Sequence, residues 1–192
     1  MKYIITILLF LNTSFASATS LIDNIAVPEN EKIISFTTWD TGDLNLLCVV
    51  REKPQVEYPN GLGEPRTQTL VFYRLEENTY KEIYNEPFLG YSLVSLFQDC
   101  VTEGRFHTIF IGRRYYSVFS YYFIDGKIKK VLETSSDCFP EFLHLDDKLA
   151  VRVTMFEFLP DSVEETIISY KWDNNDKIYI KDKKIKTMKK KE

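Results

Sequence analysis

Apolar side chains recur at every second position through most of this sequence, and no segment keeps a 3.6-residue period over three helical turns. A chain with that pattern can hide its apolar surface only by forming strands. The alternation runs through 32–38, 44–51, 69–75, 80–84, 92–98, 107–113, 117–124, 127–133, 141–145, 149–156, 165–172 and 177–181. Between these runs lie Asp40-Thr41-Gly42-Asp43, Glu76-Glu77-Asn78, Asp125-Gly126, Asp146-Asp147 and Asp173-Asn174-Asn175-Asp176. Each contains a residue that bonds its own backbone or tolerates positive φ, which makes it a turn. Asp125-Gly126 is the strongest hairpin signal, because a type I′ turn needs positive φ at both central residues. The expectation is an all-β fold. An aromatic share of 15%, from 14 Phe, 12 Tyr and 2 Trp, agrees with it, since aromatic rings pack well on a pleated surface.

The strands repeat. A shift of 48 lays Leu70-Val71-Phe72-Tyr73-Arg74-Leu75 on Val118-Phe119-Ser120-Tyr121-Tyr122-Phe123, and a further 49 reaches Ile167-Ile168-Ser169-Tyr170-Lys171-Trp172. Each block is followed by a polar turn and a second strand, and the next two strands correspond as well. The unit is therefore four antiparallel strands used about three times, read as two complete units and a split one whose halves open and close the chain. A propeller-like ring, a curved sheet, a barrel or a sandwich would all accept such units.

Residues 1–18 read as a secretory signal peptide: Lys2, the apolar run from Tyr3 to Leu11, and Ala16-Ser17-Ala18 as the cleavage site. The run is too short for a transmembrane helix, which needs about 20 residues. A mature chain beginning near Thr19 is expected in the periplasm or outside the cell, with one β-rich domain over 19–180 and a basic, flexible tail over 181–192. Export makes cysteines candidates for pairing. Cys48 shares a face with Leu44, Leu46 and Val50 and reads as buried, which leaves Cys100 and Cys138 as the expected disulfide, provided their Cα atoms come within about 7 Å.

Net charge is −4, unevenly spread. Lys181 to Glu192 hold seven Lys against two acidic residues, a net +5. Without that tail and Lys2 the chain has 16 basic and 26 acidic residues, a net −10. An acidic body attracts basic partners and disfavours nucleic acid, while the tail suits anionic lipid or polymer.

Catalytic signatures are missing. Neither His107 nor His144 has a second ligand at metal-binding spacing, no G-x-S-x-G elbow or phosphate loop occurs, and no cofactor fingerprint is present, so no metal or cofactor is expected. Asp40, Asp43, Asp173 and Asp176 lack the alternating pattern of a calcium loop and read as turn formers. Two features suit binding. The Pro- and Gly-rich stretch 53–66 interrupts the repeat and offers Tyr58 and Leu62 as anchors. Arg113-Arg114-Tyr115-Tyr116 leads into a strand apolar on both faces, hence central and doubly covered, with Tyr115 on the face of Phe119 and Tyr116 on that of Val118. The arginines at its start can pair with carboxylates. These features together point to an exported, non-catalytic binding protein, an inhibitor or immunity-type protein acting on an envelope or secreted hydrolase. A carbohydrate or cell-surface binding module is the alternative, and a carboxylate-based hydrolase a further one.

Overall fold

The computed structural model describes residues 24–54, 66–98, 104–145 and 148–189. Strands β1 (Lys32–Asp40), β2 (Asn45–Lys53), β3 (Thr67–Glu76) and β4 (Thr79–Leu89) pair in chain order as an antiparallel meander, sheet A. Sheet B repeats the arrangement with β5 (Ser92–Gln98), β6 (Phe106–Ile111), β7 (Tyr116–Ile124) and β8 (Lys127–Ser136). Sheet C repeats it again with β9 (Glu141–Leu145), β10 (Lys148–Phe158), β11 (Ser162–Asp173) and β12 (Ile178–Lys189). The three sheets are open, not closed into a barrel.

The four-strand unit is thus present three times, but its phase corrects the expectation of a split unit. Units begin at β1, β5 and β9, and all three are complete. Strands joined by short turns pair with their chain neighbours, so no strand from the end of the chain is needed to finish a sheet begun at its start.

Bulges show that sheets A and B share more than strand number. The pairing register slips at Phe72/Tyr73 in β3 and at Ser120/Tyr121 in β7, positions 48 residues apart. It also slips near the start of both first strands, at Ile33/Ser35 and Leu93/Ser95. The turns correspond too. Asp125 and Gly126 have φ of 51° and 73°, the expected type I′ signature, and Glu77 and Asn78 match them at 47° and 66°. Asp40 and Asp173 act as turn formers: their Oδ1 atoms accept from the Gly42 and Asn175 amides, both at 2.8 Å.

The sheets stack face to face in the order A, B, C. Between A and B lie Trp39, Leu46, Cys48, Val50, Leu70, Phe72 and Phe88 from one side and Phe106, Phe110, Phe119, Tyr121 and Phe123 from the other. Cys48 sits on the face predicted for it, and burial pushes its thiol pKa well up. Phe72 is the hub of this seam, with ring centroids 5.4 Å from Trp39, 5.3 Å from Phe106, 5.4 Å from Tyr121 and 5.8 Å from Tyr84. The seam between B and C is smaller, built on Val118, Leu132, Val151, Val153 and Ile168. On the far side of A, Ile25 and Val27 from the segment before β1 cover Leu47, Val49, Val71 and Tyr73. Strand β7 therefore lies in the middle layer with both faces buried, as its sequence predicts.

The chain from 181 to 189 corrects a second expectation. It is strand β12, paired with β11 from Ile178↔Asp173 to Lys189↔Ser162, rather than a flexible tail. Lysine is a poor strand former, but β11 is 12 residues long and offers a ladder along its whole length. Lysines on an open edge keep their ammonium groups in water and discourage further strand pairing.

A polar latch joins sheets A and B at the end of β1. The Gln98 side chain accepts from the Asp40 amide at 2.9 Å and donates to the Asp40 carbonyl at 2.8 Å, so it substitutes for a strand neighbour. Trp39 Nε1 donates to the Gly104 carbonyl. Gly104 has φ +59°, and a Cβ there would stand 2.6 Å from the Asp40 carbonyl oxygen. Gly104→Ala should therefore cost about 2 kcal/mol through strain and loss of the latch, measured by urea unfolding. An unchanged midpoint would contradict the latch.

Candidate functional site

Strand direction sorts the connections between two ends of the stack. Register places the β4–β5, β6–β7, β8–β9 and β10–β11 links at one end, together with the end of β2 at Lys53 and the start of β3 at Thr67. One of the two binding features singled out in the sequence belongs here. Tyr58 and Leu62 lie outside the described residues, although the strands that flank them stop at this end. Arg113, Arg114, Tyr115 and Tyr116 are brought together at the β6–β7 turn.

The turn is tight: the Gly112 amide donates to the Tyr115 carbonyl at 2.9 Å. Strand β6 stops at Ile111 and β7 starts at Tyr116, so Tyr115 belongs to the turn that leads into β7. Residues 113 to 115 are exposed. Tyr115 remains on the sheet A side, its hydroxyl 3.0 Å from that of Tyr91, and this hydrogen bond raises its phenol pKa. The two rings meet edge to face at 70°, so they do not form a flat stacking platform. Gly112 makes room for them: a Cβ there would lie 3.3 Å from the Tyr91 ring. Tyr116 points to the other side, half-buried, its ring 5.5 Å from that of Phe139, which is 55% exposed. Neither Arg113 nor Arg114 has an ion-pair partner among the described residues.

Tyr91 and Phe139 belong to this surface and were missed in the sequence. Each is an aromatic residue in a short link between strands, where packing does not call for one, and that misplacement was the available signal.

Cys138 lies in the β8–β9 link at this same end. Strands β5 and β6, which flank Cys100, end at Gln98 and begin at Phe106 at the opposite end. Cys138 is exposed and unbonded, and Cys100 lies outside the described residues.

Two clusters of polar groups have the spacing of catalytic constellations, one fully buried and one half-buried at a sheet seam. His107 Nδ1 is 2.8 Å from Ser120 Oγ, the spacing of a base and nucleophile. Both side chains are fully buried, and the imidazole is enclosed by the rings of Phe97 and Phe142 at 5.3 and 5.1 Å. Burial, reinforced by the Arg105 charge, lowers the His107 pKa from 6.5 to about 3. At the A–B seam, Glu86 accepts from the hydroxyls of Tyr84 and Tyr121 at 2.9 and 2.8 Å and from Lys130 Nζ at 2.7 Å, and Lys130 also reaches Glu133 at 2.5 Å. Burial and then the Glu86 charge push both tyrosine pKa values up. Burial works against the Lys130 charge, but its bonds to Glu133 and Glu86 outweigh it and raise its pKa. The two carboxylates are thus committed to one ammonium group. Among the described residues no three His, Cys, Asp or Glu side chains converge as metal ligands. Among the described residues no helix is long and apolar enough to cross a membrane.

His107 makes stability pH-dependent. The folded state keeps the ring neutral down to about pH 3, while the unfolded chain protonates it near 6.5. Between those values the unfolded state holds the extra proton, so this contribution is complete above pH 6.5 and falls by about 1.4 kcal/mol per pH unit below it. From pH 7 to pH 5 the protein should lose about 2 kcal/mol more than its His107→Gln variant in urea unfolding, because carboxylate effects are common to both. Parallel losses would contradict the buried neutral ring.

No protein-family model, curated protein or solved structure matches this chain.

Proposed function

We propose that this is an exported, non-catalytic binding protein that seats the Arg113–Tyr116 turn in a carboxylate-bearing cleft of a protein partner, as an inhibitor of an envelope or secreted hydrolase. The observation that carries the reading is the pair of exposed guanidinium groups at Arg113 and Arg114, unpaired among the described residues and flanked by the exposed Tyr115. Arginine and tyrosine dominate interface hot spots, and a guanidinium recognises a carboxylate bidentately. Glycoside hydrolases hold two catalytic carboxylates in an open cleft, which is the chemistry a projecting Arg-Arg turn complements. The acidic remainder of the body, apart from the basic edge strand β12, sharpens orientation, since it repels an acidic cleft. The edge-to-face tyrosines favour a protein over a glycan, which stacks on flat rings.

The test is inhibition of a peptidoglycan-cleaving glycoside hydrolase from the same envelope. The double variant Arg113→Ala/Arg114→Ala should raise the inhibition constant about a hundredfold or more, with unfolding stability unchanged within about 0.5 kcal/mol. Equal inhibition by the double variant, or none by the unaltered protein, would overturn the reading.

A further inference from the structure

The binding turn leaves the most strongly charged element of the molecule unused. Strand β12 is the terminal strand of sheet C, with a pairing partner on one side only. Residues 181–187 are all exposed, and this stretch holds Lys181, Lys183, Lys184 and Lys186 against one acidic residue, Asp182. Lys183, Lys184 and Lys186 have no ion-pair partner among the described residues, and Lys181 only overlies the Tyr170 ring at 6.0 Å. Strand geometry sends successive side chains to opposite faces, so Lys181 and Lys183 flank one side of the open edge and Lys184 and Lys186 the other. Aliphatic side chains are interleaved with them: Ile178 is 46% exposed, Ile180 52% and Ile185 56%. A chain that is otherwise strongly acidic thus concentrates positive charge and exposed isoleucine on a single edge.

We infer that β12 docks edge-on to an anionic lipid bilayer surface, with its lysines over headgroup phosphates and Ile178, Ile180 and Ile185 reaching between the headgroups. The charge supplies the attraction, and the isoleucines distinguish a bilayer from a soluble polyanion, which has no apolar layer to receive them. The lysines block strand addition at the same edge, so a peptide occupant is disfavoured. Docked in this way, the molecule keeps the Arg113–Tyr116 turn clear, because that turn belongs to sheet B.

The experiment is co-sedimentation of the chain from Thr19, which retains every described strand, with vesicles of equimolar phosphatidylglycerol and phosphatidylcholine. The protein should sediment at low salt and be released by 1 M NaCl, where the Debye length is about 3 Å. Each lysine should contribute about fivefold to the partition coefficient, so Lys183→Gln/Lys184→Gln/Lys186→Gln should lower it about a hundredfold. Ile180→Ser/Ile185→Ser should also weaken it, and circular dichroism reports that both variants keep the β fold. Failure to sediment, or equal sedimentation with pure phosphatidylcholine, would overturn the inference. So would retention on a soluble polyanion or salt-sensitive self-association, if either occurs without vesicle binding. The inhibition assay above contains no lipid, so the two readings fail separately.

Discussion

The structure depends on the burial of β7 on both faces. Its odd-numbered residues Phe119, Tyr121 and Phe123 pack toward sheet A, while Val118 packs toward sheet C. A strand apolar on both sides has no stable place at the surface, so a layer must cover each face. Three similar meanders satisfy that demand by stacking. The aromatic cluster around Phe72 then contributes more than area, because edge-to-face pairs each add about 0.5–1.5 kcal/mol.

A middle layer this enclosed must also accommodate polar groups, and several of them are paired, although His107 Nε2 is buried without a hydrogen-bond partner among the described residues. Arg105 is completely buried, yet its guanidinium lies 4.6 Å from the centre of the Trp172 ring, where the π face stabilises the charge. His107 stays neutral and bonds Ser120. Glu86 gathers two phenols and an ammonium at the seam. Such groups draw attention as candidate active sites, but they join the layers: Tyr121 and Lys130 from sheet B meet Glu86 from sheet A, and Thr134 bonds Tyr170 of sheet C at 3.0 Å. The sites proposed for recognition lie at the periphery, at the β6–β7 turn and along β12.

Much of the fold was legible in the sequence because period-two alternation and turn chemistry are local properties. The twelve strands, the Asp125-Gly126 hairpin, the core face of Cys48 and the double burial of β7 all follow from spacing. The phase of the repeat was not legible, because a shift of 48 identifies equivalent strands without saying which of them pair. The fate of 181–189 was hidden for a different reason: intrinsic preference argues against a lysine-rich strand, and only the length of β11 reverses it. Of the proposed binding surface, Arg113, Arg114, Tyr115 and Tyr116 are adjacent in sequence and could be found together. Tyr91 and Phe139 come from other links and join them only through the fold.

Amide hydrogen exchange, resolved by strand, tests the layered arrangement most directly. If sheet B is the enclosed middle layer, the amides of β6 and β7 exchange only through global unfolding and are the slowest in the chain, whereas those of β12 exchange through local opening and are among the fastest. Exchange from β7 as rapid as from β12 would contradict the stacked structure and remove the basis for assigning recognition to its periphery.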